Sequence, residues 1–193
     1  MLYIDAQLFQ TSTWDRGMGK YSLELIKALL GSKNFGHHEV VFVFNEGLRL
    51  EDSRKDYIES LGENITLKFL PLKLKGGRQT REIMSANKSI LAGLGCSEED
   101  VFFIPSIFEN DVVSVFPDNV RKIAVVYDLI PHIYFDRYLK HNAHSQENYY
   151  SRFGTLFEAD TLVSISQTTK NDTMLHLGLP ASKIVNIDGA RIV

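Results

Sequence analysis

Two short segments of this sequence carry residues that could do chemistry. In Arg16-Gly17-Met18-Gly19, two glycines stand where the apolar spacing predicts the start of a helix. Free backbone N–H groups and the helix dipole favour an anion such as a phosphate at such a point. Ser22 stands where a dinucleotide-binding fingerprint has its third glycine, so the segment does not match that motif. Two interpretations stay open: the glycines admit a phosphate, or they only shape the helix start.

The second segment places an acidic residue directly after an apolar strand. Asp128 follows Tyr127 at the end of a predicted strand, and Pro131 then turns the chain. Ligands of parallel α/β sheets bind beyond the carboxyl ends of the strands. The position therefore favours a carboxylate that hydrogen-bonds sugar hydroxyls or orients an acceptor, the alternative being a cap of the local turn. His132, in the same post-strand segment, is a further candidate for the cleft.

Other polar and aromatic residues each have two interpretations. Ser166 is expected to cap a helix, and the same turn faces the cleft. Trp14 either stacks on a sugar ring or anchors its loop. The basic stretch 68–81 seats on an anionic membrane surface or holds an anionic acceptor, or else it is a solvated loop, which is favoured. His141 and His144 have a helical spacing suited to a metal but no convincing third ligand, so surface histidines are expected.

These candidates depend on an alternation of strands and helices. Short apolar runs predict strands, and apolar residues at i, i+4 and i+7 predict helices. The predicted strands are 2–5, 39–44, 65–70, 101–104, 123–127, 161–164 and 184–187. The predicted helices are 17–30, 53–61, 80–94, a long helix within 136–158, and one that runs from a Ser166 cap to Leu177 and stops at Gly178. The alternation predicts an α/β fold with a Rossmann-like, doubly wound, mostly parallel sheet and helices on both faces.

The composition is that of one globular domain. The chain has 193 residues, of which 44% are hydrophobic and 23% charged, and a formal net charge of -3. These values exclude a disordered chain and argue against a dedicated nucleic-acid binder. The single cysteine, Cys96, excludes a disulfide within the chain and a cysteine zinc site. A signal-peptide pattern and a membrane-spanning apolar run are both missing, so we expect a cytoplasmic protein.

Three segments, in this order, resemble the retaining GT-B glycosyltransferases of the group-1 (family 4) type. The helix start 16–21 resembles that family's Arg-Gly-Ile-Gly-Arg-Tyr element, and 126–131 resembles its His-Asp-Leu-Ile-Pro segment. The third match, 164–185, resembles the family's Ser-x-x-Thr helix, its Leu-Gly-Leu-Pro turn and a final strand. The resemblance runs from residue 1 to about 190, although 45–120 matches only in pattern. Where the family usually has His, this sequence has Tyr127, a poor general base near pH 7.

The resemblance implies the acceptor-side half of a two-domain enzyme. Residues 1–190 would form a single Rossmann-like domain and 188–193 would begin an interdomain linker. The donor-binding C-terminal domain would be absent, so this chain alone would be inactive. The implied reaction transfers a sugar, with anomeric retention, from a nucleotide sugar to a saccharide or lipid-linked acceptor. It would need no metal and no other cofactor.

The resemblance also implies roles for particular residues. The catalytic pair would be Asp128 and Tyr127. The loop at the donor diphosphate would be formed by Arg16, Gly17 and Gly19. The acceptor cleft would be lined by Trp14, Ser166 and His132.

The implied partners are the nucleotide sugar and the acceptor, with peripheral contact at the inner face of the membrane through 68–81 and no nucleic acid. An alternative from another class is a non-catalytic Rossmann-like module that binds a sugar or a partner. A weaker one is a nicotinamide-cofactor domain with Glu46 at the ribose, against which the missing third glycine and the long first loop both argue.

Overall fold

The chain folds around one parallel β-sheet. The computed structural model describes residues 1–33, 35, 38–74, 80–109 and 111–188. The strands of the described part are β1 Leu2–Asp5, β2 Val40–Asn45, β3 Ile65–Leu70, β4 Val101–Ile104, β5 Arg121–Val126, β6 Thr161–Ser164 and β7 Ile184–Asn186. They form a seven-stranded sheet in the order β3-β2-β1-β4-β5-β6-β7, and every neighbouring pair is parallel. The predicted Rossmann-like α/β fold is thereby confirmed, with a wholly parallel sheet.

Helices connect most of the strands, but the described residues between β4 and β5 contain no helix. The helices of the described residues are α1 Gly17–Leu30, α2 Asp52–Glu59, α3 Thr80–Ala92, α4 Ile130–Ile133, α5 Phe135–Tyr138, α6 Ala143–Glu158 and α7 Gln167–Leu177. The long helix predicted within 136–158 is α6, which begins where the Asn142 side chain accepts a hydrogen bond from the Ser145 N–H. The predicted loop from residue 6 to residue 16 contains two short 3-10 turns, Gln7–Gln10 and Ser12–Asp15.

Helices cover both faces of the sheet, as the sequence predicts. Side chains of a strand point alternately to the two faces. Val41 of β2 thus packs in the core that contains Ile83 of α3 and Leu156 of α6. Its neighbour Phe42 packs in the other core, with Ile26 of α1 and Ile58 of α2. Burial on both faces explains why β2 is a continuous apolar run.

The direction in which successive strands are added to the sheet reverses between β1 and β4. The chain proceeds outward from β1 to β3 on one side, then returns through α3 to β4 on the other. The connections after β1 and β4 therefore leave the sheet edge in opposite directions and open a crevice between them. The Gly17–Gly19 segment follows β1, and Asp128 follows β5, the strand next to β4.

Candidate functional site

A cavity of about 370 Å³ lies beyond the carboxyl end of β5. It brings together Met18 of the Gly-x-Gly segment with Tyr127 and Asp128, which the sequence places more than 100 positions away. The other described residues that line it are Phe108, Pro131, Tyr138, Leu139, Ser145, Asn148, Tyr149 and Arg152. The volume is in the range of small-molecule sites, about 300–1,000 Å³. The two segments that carried the candidate chemistry thus share one wall of one cavity.

Tyr127 joins these two segments by hydrogen bonds. Its hydroxyl donates to the Met18 carbonyl oxygen over 3.1 Å, and the Ser22 hydroxyl lies 2.6 Å away. Since Tyr127 has one hydroxyl proton and gives it to Met18, Ser22 is the donor in the second contact. Burial raises the pKa of Tyr127 above its usual value, so the phenol stays protonated at neutral pH. This geometry makes Tyr127 a tether and a hydrogen-bond donor rather than a base.

The two glycines of the first segment have different surroundings. A Cβ atom at Gly19 would collide with the Thr13 carbonyl oxygen and lie 2.8 Å from the Trp14 Cα atom. Gly19 is therefore required by close approach of the preceding turn. A Cβ atom at Gly17 would meet nothing within 4 Å. Arg16, the N-cap of α1, is exposed and its side chain makes no cap hydrogen bond, so the side chain leaves the first-turn N–H groups uncapped.

Asp128 is exposed at the cavity and also holds its own turn. Its Oδ1 atom accepts a hydrogen bond of 3.0 Å from the Ile130 N–H. The turn-capping interpretation is thus correct as a contact, and it leaves the second carboxylate oxygen available to a ligand. Burial, and then the charge of Asp128, raise the pKa of the Tyr149 phenol. Both residues line the same cavity.

Buried polar residues near the ends of β1 and β4 are hydrogen-bonded beside the crevice. Glu109, after β4, accepts hydrogen bonds from the hydroxyls of Thr13, over 2.6 Å, and Ser106, over 3.0 Å. Asp5, at the end of β1, accepts from the Gln7 backbone N–H over 3.2 Å. Burial raises the pKa of Asp5, and hydrogen bonds from the Ser114 side chain and from the Gln7 side chain and N–H partly offset the effect. These contacts connect the loop after β1 with the loop after β4 and so hold the start of α1 in place.

Three other predicted site residues, Ser166, Trp14 and His132, are not among the described residues that line this cavity. Ser166 caps α7 by accepting a hydrogen bond of 3.1 Å from the Thr169 N–H, as predicted. Trp14 packs edge-on against Phe9 and Tyr57 and lies under the Arg54 guanidinium, which are the contacts of a loop anchor. The Nδ1 atom of His132 lies 3.2 Å from the Tyr150 hydroxyl. Their roles toward a ligand stay predictions.

Sequence reasoning missed Arg152 and Glu109 and did not select Tyr149 as a site residue. Ser145, Tyr149 and Arg152 recur at i, i+4 and i+7 along α6, a spacing that puts them on one face of the helix. That pattern was the available signal, but it does not say which cavity the face meets. Glu109 stands in a loop without any periodic pattern and carries no such signal.

The structure also shows where the two histidines, the basic stretch and the predicted linker lie. His141 and His144 are exposed, and the described residues contain no group of three or more potential metal ligands. In the basic stretch, Lys68 belongs to the edge strand β3, Lys73 and Arg81 are exposed, and 75–79 lie outside the described residues. The predicted linker lies outside them from residue 189 onward. No helix of the described part is long and apolar enough to cross a membrane.

Comparison with known proteins found similarity to mannosyltransferases. The chain is similar to the serotype-specific mannosyltransferase WbdA of Escherichia coli, with 23% identity over 205 aligned positions. The alignment covers 98% of this chain but 24% of WbdA, so the chain spans about a quarter of that relative's length. A second Escherichia coli protein of the same description is 28% identical over 97 residues, 47% of this chain. No protein-family model matches the chain, and no solved structure matches it significantly. The chain thus shows weak similarity, over nearly all of its own length, to part of a glycosyltransferase.

Proposed function

We propose that this chain is the acceptor-side domain of a retaining GT-B glycosyltransferase. The observation that carries the proposal is the shared cavity, in which Met18 of the Gly-x-Gly segment and Asp128 meet beyond the carboxyl end of the sheet. Similarity to WbdA over 98% of the chain supports the same class of reaction. The substrates would be a nucleotide sugar and a saccharide or lipid-linked acceptor, with the nucleotide held by a further domain. WbdA is described as a mannosyltransferase, which makes mannose the first donor sugar to test.

The helix start would stabilise the diphosphate that leaves during transfer. Gly17 is exposed, and no other part of the chain comes within 4 Å of the place that its Cβ atom would take, so a ligand can approach the backbone there. The N-terminal end of α1 favours negative charge. Donors that are already in place where charge develops contribute a large share of catalysis. In this proposal Gly17 is the position at which the donor approaches the backbone, and Gly19 shapes the segment that presents it.

Asp128 would hold and orient the acceptor hydroxyl. One carboxylate oxygen is committed to the Ile130 N–H, which fixes the orientation of the group, while the exposed remainder faces the cavity. Orientation of this kind lowers the barrier by converting a bimolecular encounter into a positioned reaction. Tyr127 would act through position, since its hydroxyl is already bonded to Met18 and Ser22.

The test is a transfer and binding experiment on the complete gene product and on the 193-residue chain in parallel. Calorimetric titration with nucleoside diphosphates and a panel of nucleotide sugars, mannose donors included, is followed by a transfer assay with labelled donor. We expect saturable donor binding and transfer by the complete gene product, and neither by the 193-residue chain. Absence of binding to every donor by the complete product would overturn the proposal and favour a non-catalytic binding module.

A further inference from the structure

One face of α6 contributes polar side chains to the cavity that contains Asp128. Ser145, Tyr149 and Arg152 all line it, and their spacing places them along one stripe of the helix. The cavity therefore has an acidic group after β5 and a guanidinium on α6.

Arg152 is buried and short of partners. The residue is only 5% exposed, yet a guanidinium carries five N–H donors. Within the part of the chain that the structure describes, it makes one hydrogen bond, a long contact of 3.4 Å to the Val112 carbonyl oxygen, and its Nε atom has no partner. Among the described residues no carboxylate lies within ion-pair distance of it. Buried charges are ordinarily paired, because leaving one unpaired is costly.

Arg152 is nevertheless a cation at neutral pH. Burial lowers its pKa to about 10, and the charges of Glu109, Asp111 and Glu147 act in the opposite direction. These carboxylates favour the charged form from beyond ion-pair distance. The side chain is thus a positive charge beside a ligand-sized cavity, with donors that the described protein does not use.

Tyr149 supplies a second unused group. Its hydroxyl is buried near the His132 backbone and makes no hydrogen bond to any described residue. Its ring is stacked on Phe108, with centroids 4.7 Å apart, and is also in contact with Phe153. The packing holds the phenol in place, so the hydroxyl needs no reordering when a ligand binds.

We propose that Arg152 and Tyr149 form a subsite for an oxyanion, a phosphate or a carboxylate, carried by the saccharide that enters this cavity. A guanidinium donates two parallel hydrogen bonds to either group, and the phenol supplies a third donor. That the saccharide is the acceptor of a transfer rests on the proposed function, whereas oxyanion binding itself rests on the cavity alone. The acceptor class is then an acidic saccharide, and Asp128 contacts its hydroxyls.

The test is a titration of the 193-residue chain with four probes: inorganic phosphate, glucose 6-phosphate, glucuronic acid and neutral methyl glucoside. Calorimetry measures the affinity, and two-dimensional nitrogen–proton NMR spectra show which backbone amides lie near the bound probe. We expect saturable binding of at least one charged sugar, with shifts at Ser145 and Tyr149, and much weaker binding of the neutral sugar. Preference for glucose 6-phosphate identifies a phosphate ligand, and preference for glucuronic acid identifies a carboxylate. Equal binding of the neutral sugar, or no binding of either charged sugar, overturns the subsite.

Variants assign the binding to these side chains. Arg152→Gln is expected to weaken charged-sugar binding by about tenfold or more, and Tyr149→Phe by about threefold. Arg137→Gln removes an exposed charge outside the cavity lining and is expected to leave the affinity unchanged. Tyr149→Phe keeps the packed ring, so it decides the matter if Arg152→Gln does not fold. Unchanged affinity in folded Tyr149→Phe, or in folded Arg152→Gln, contradicts the assignment.

The two proposals fail separately. Oxyanion binding without sugar transfer by the complete gene product would leave the subsite in place and overturn the proposed function. Transfer without oxyanion binding would do the reverse.

Discussion

The Tyr127 hydroxyl lies 2.6 Å from the Ser22 hydroxyl and 3.1 Å from the Met18 carbonyl oxygen. Ser22 and Tyr127 are 105 positions apart in the chain. These two contacts therefore join the residue after β5 to the first two turns of α1 and fix one wall of the cavity.

Loss of this tether is expected to destabilise the fold. In Tyr127→Phe the Ser22 hydroxyl, which is fully buried, loses its partner, and the free energy of unfolding should fall by about 1–2 kcal/mol. Urea denaturation measures the change. Tyr21→Phe is the matched control, because the Tyr21 ring packs edge-on against Tyr127 and its hydroxyl makes no hydrogen bond within the described residues. Equal stabilities of the two variants would contradict the role of the tether.

The two glycines of the α1 start should respond in opposite ways to alanine. Gly19→Ala places a Cβ atom against the Thr13 backbone and should cost about 1–3 kcal/mol of unfolding free energy. Gly17→Ala meets no atom, so the lower entropy of the unfolded chain should stabilise the fold by about 0.5 kcal/mol. Thermal unfolding compares the two.

Gly17→Ala also tests the donor approach. If a diphosphate reaches the backbone there, the complete gene product should lose donor affinity although its fold is no less stable. Undiminished donor binding in Gly17→Ala would place the diphosphate elsewhere.

Asp128→Asn separates turn geometry from chemistry. The amide oxygen of asparagine still accepts the hydrogen bond from the Ile130 N–H, so the unfolding free energy should stay within about 0.5 kcal/mol. Sugar transfer by the complete gene product should fall by about tenfold or more, because the charge that orients the acceptor is lost. Asp136→Asn, which removes an exposed charge paired with Lys140, is the control. An Asp128→Asn enzyme with unchanged turnover would remove Asp128 from the reaction.

Asp5 should make the fold less stable as the pH rises. Its pKa is raised in the folded chain, chiefly by burial, so the folded state keeps a proton that the unfolded state releases. Stability should therefore decrease from about pH 3.8, the ordinary value, up to the raised folded pKa. Asp5→Asn is expected to remove this decrease and to raise stability at neutral pH, as measured by urea denaturation across pH.

Asp100 supplies the control of opposite sign. Hydrogen bonding to the N-terminal ammonium lowers its pKa, so its contribution is present above the ordinary value and is lost as the pH falls through the lowered pKa. Asp100→Asn should thus cost stability at neutral pH, where Asp5→Asn adds it. The same direction of change in both variants would contradict the assignment of burial as the cause at Asp5.

Much of the local structure follows from the sequence because its determinants are local. Ser166 before α7 and Gly178 after it have the residue types that cap helices, and the structure shows both caps, with Gly178 at a φ of +66°. The unbroken apolar run of β2 predicts a strand buried on both faces. Boundaries differ by one or two residues where no capping residue marks them, as at the end of α3.

The cavity itself was decided by the tertiary structure. The α/β alternation, the Gly-x-Gly helix start and the acidic residue after β5 can be predicted from the amino-acid sequence, since each follows from spacing and residue type over a few positions. The sequence does not predict that Tyr127 bonds to Ser22, that Glu109 is buried against Thr13, or that Arg152 lines the same cavity as Asp128. Those contacts arise from the strand order and from the packing of α6 on the sheet, which join residues far apart in the chain.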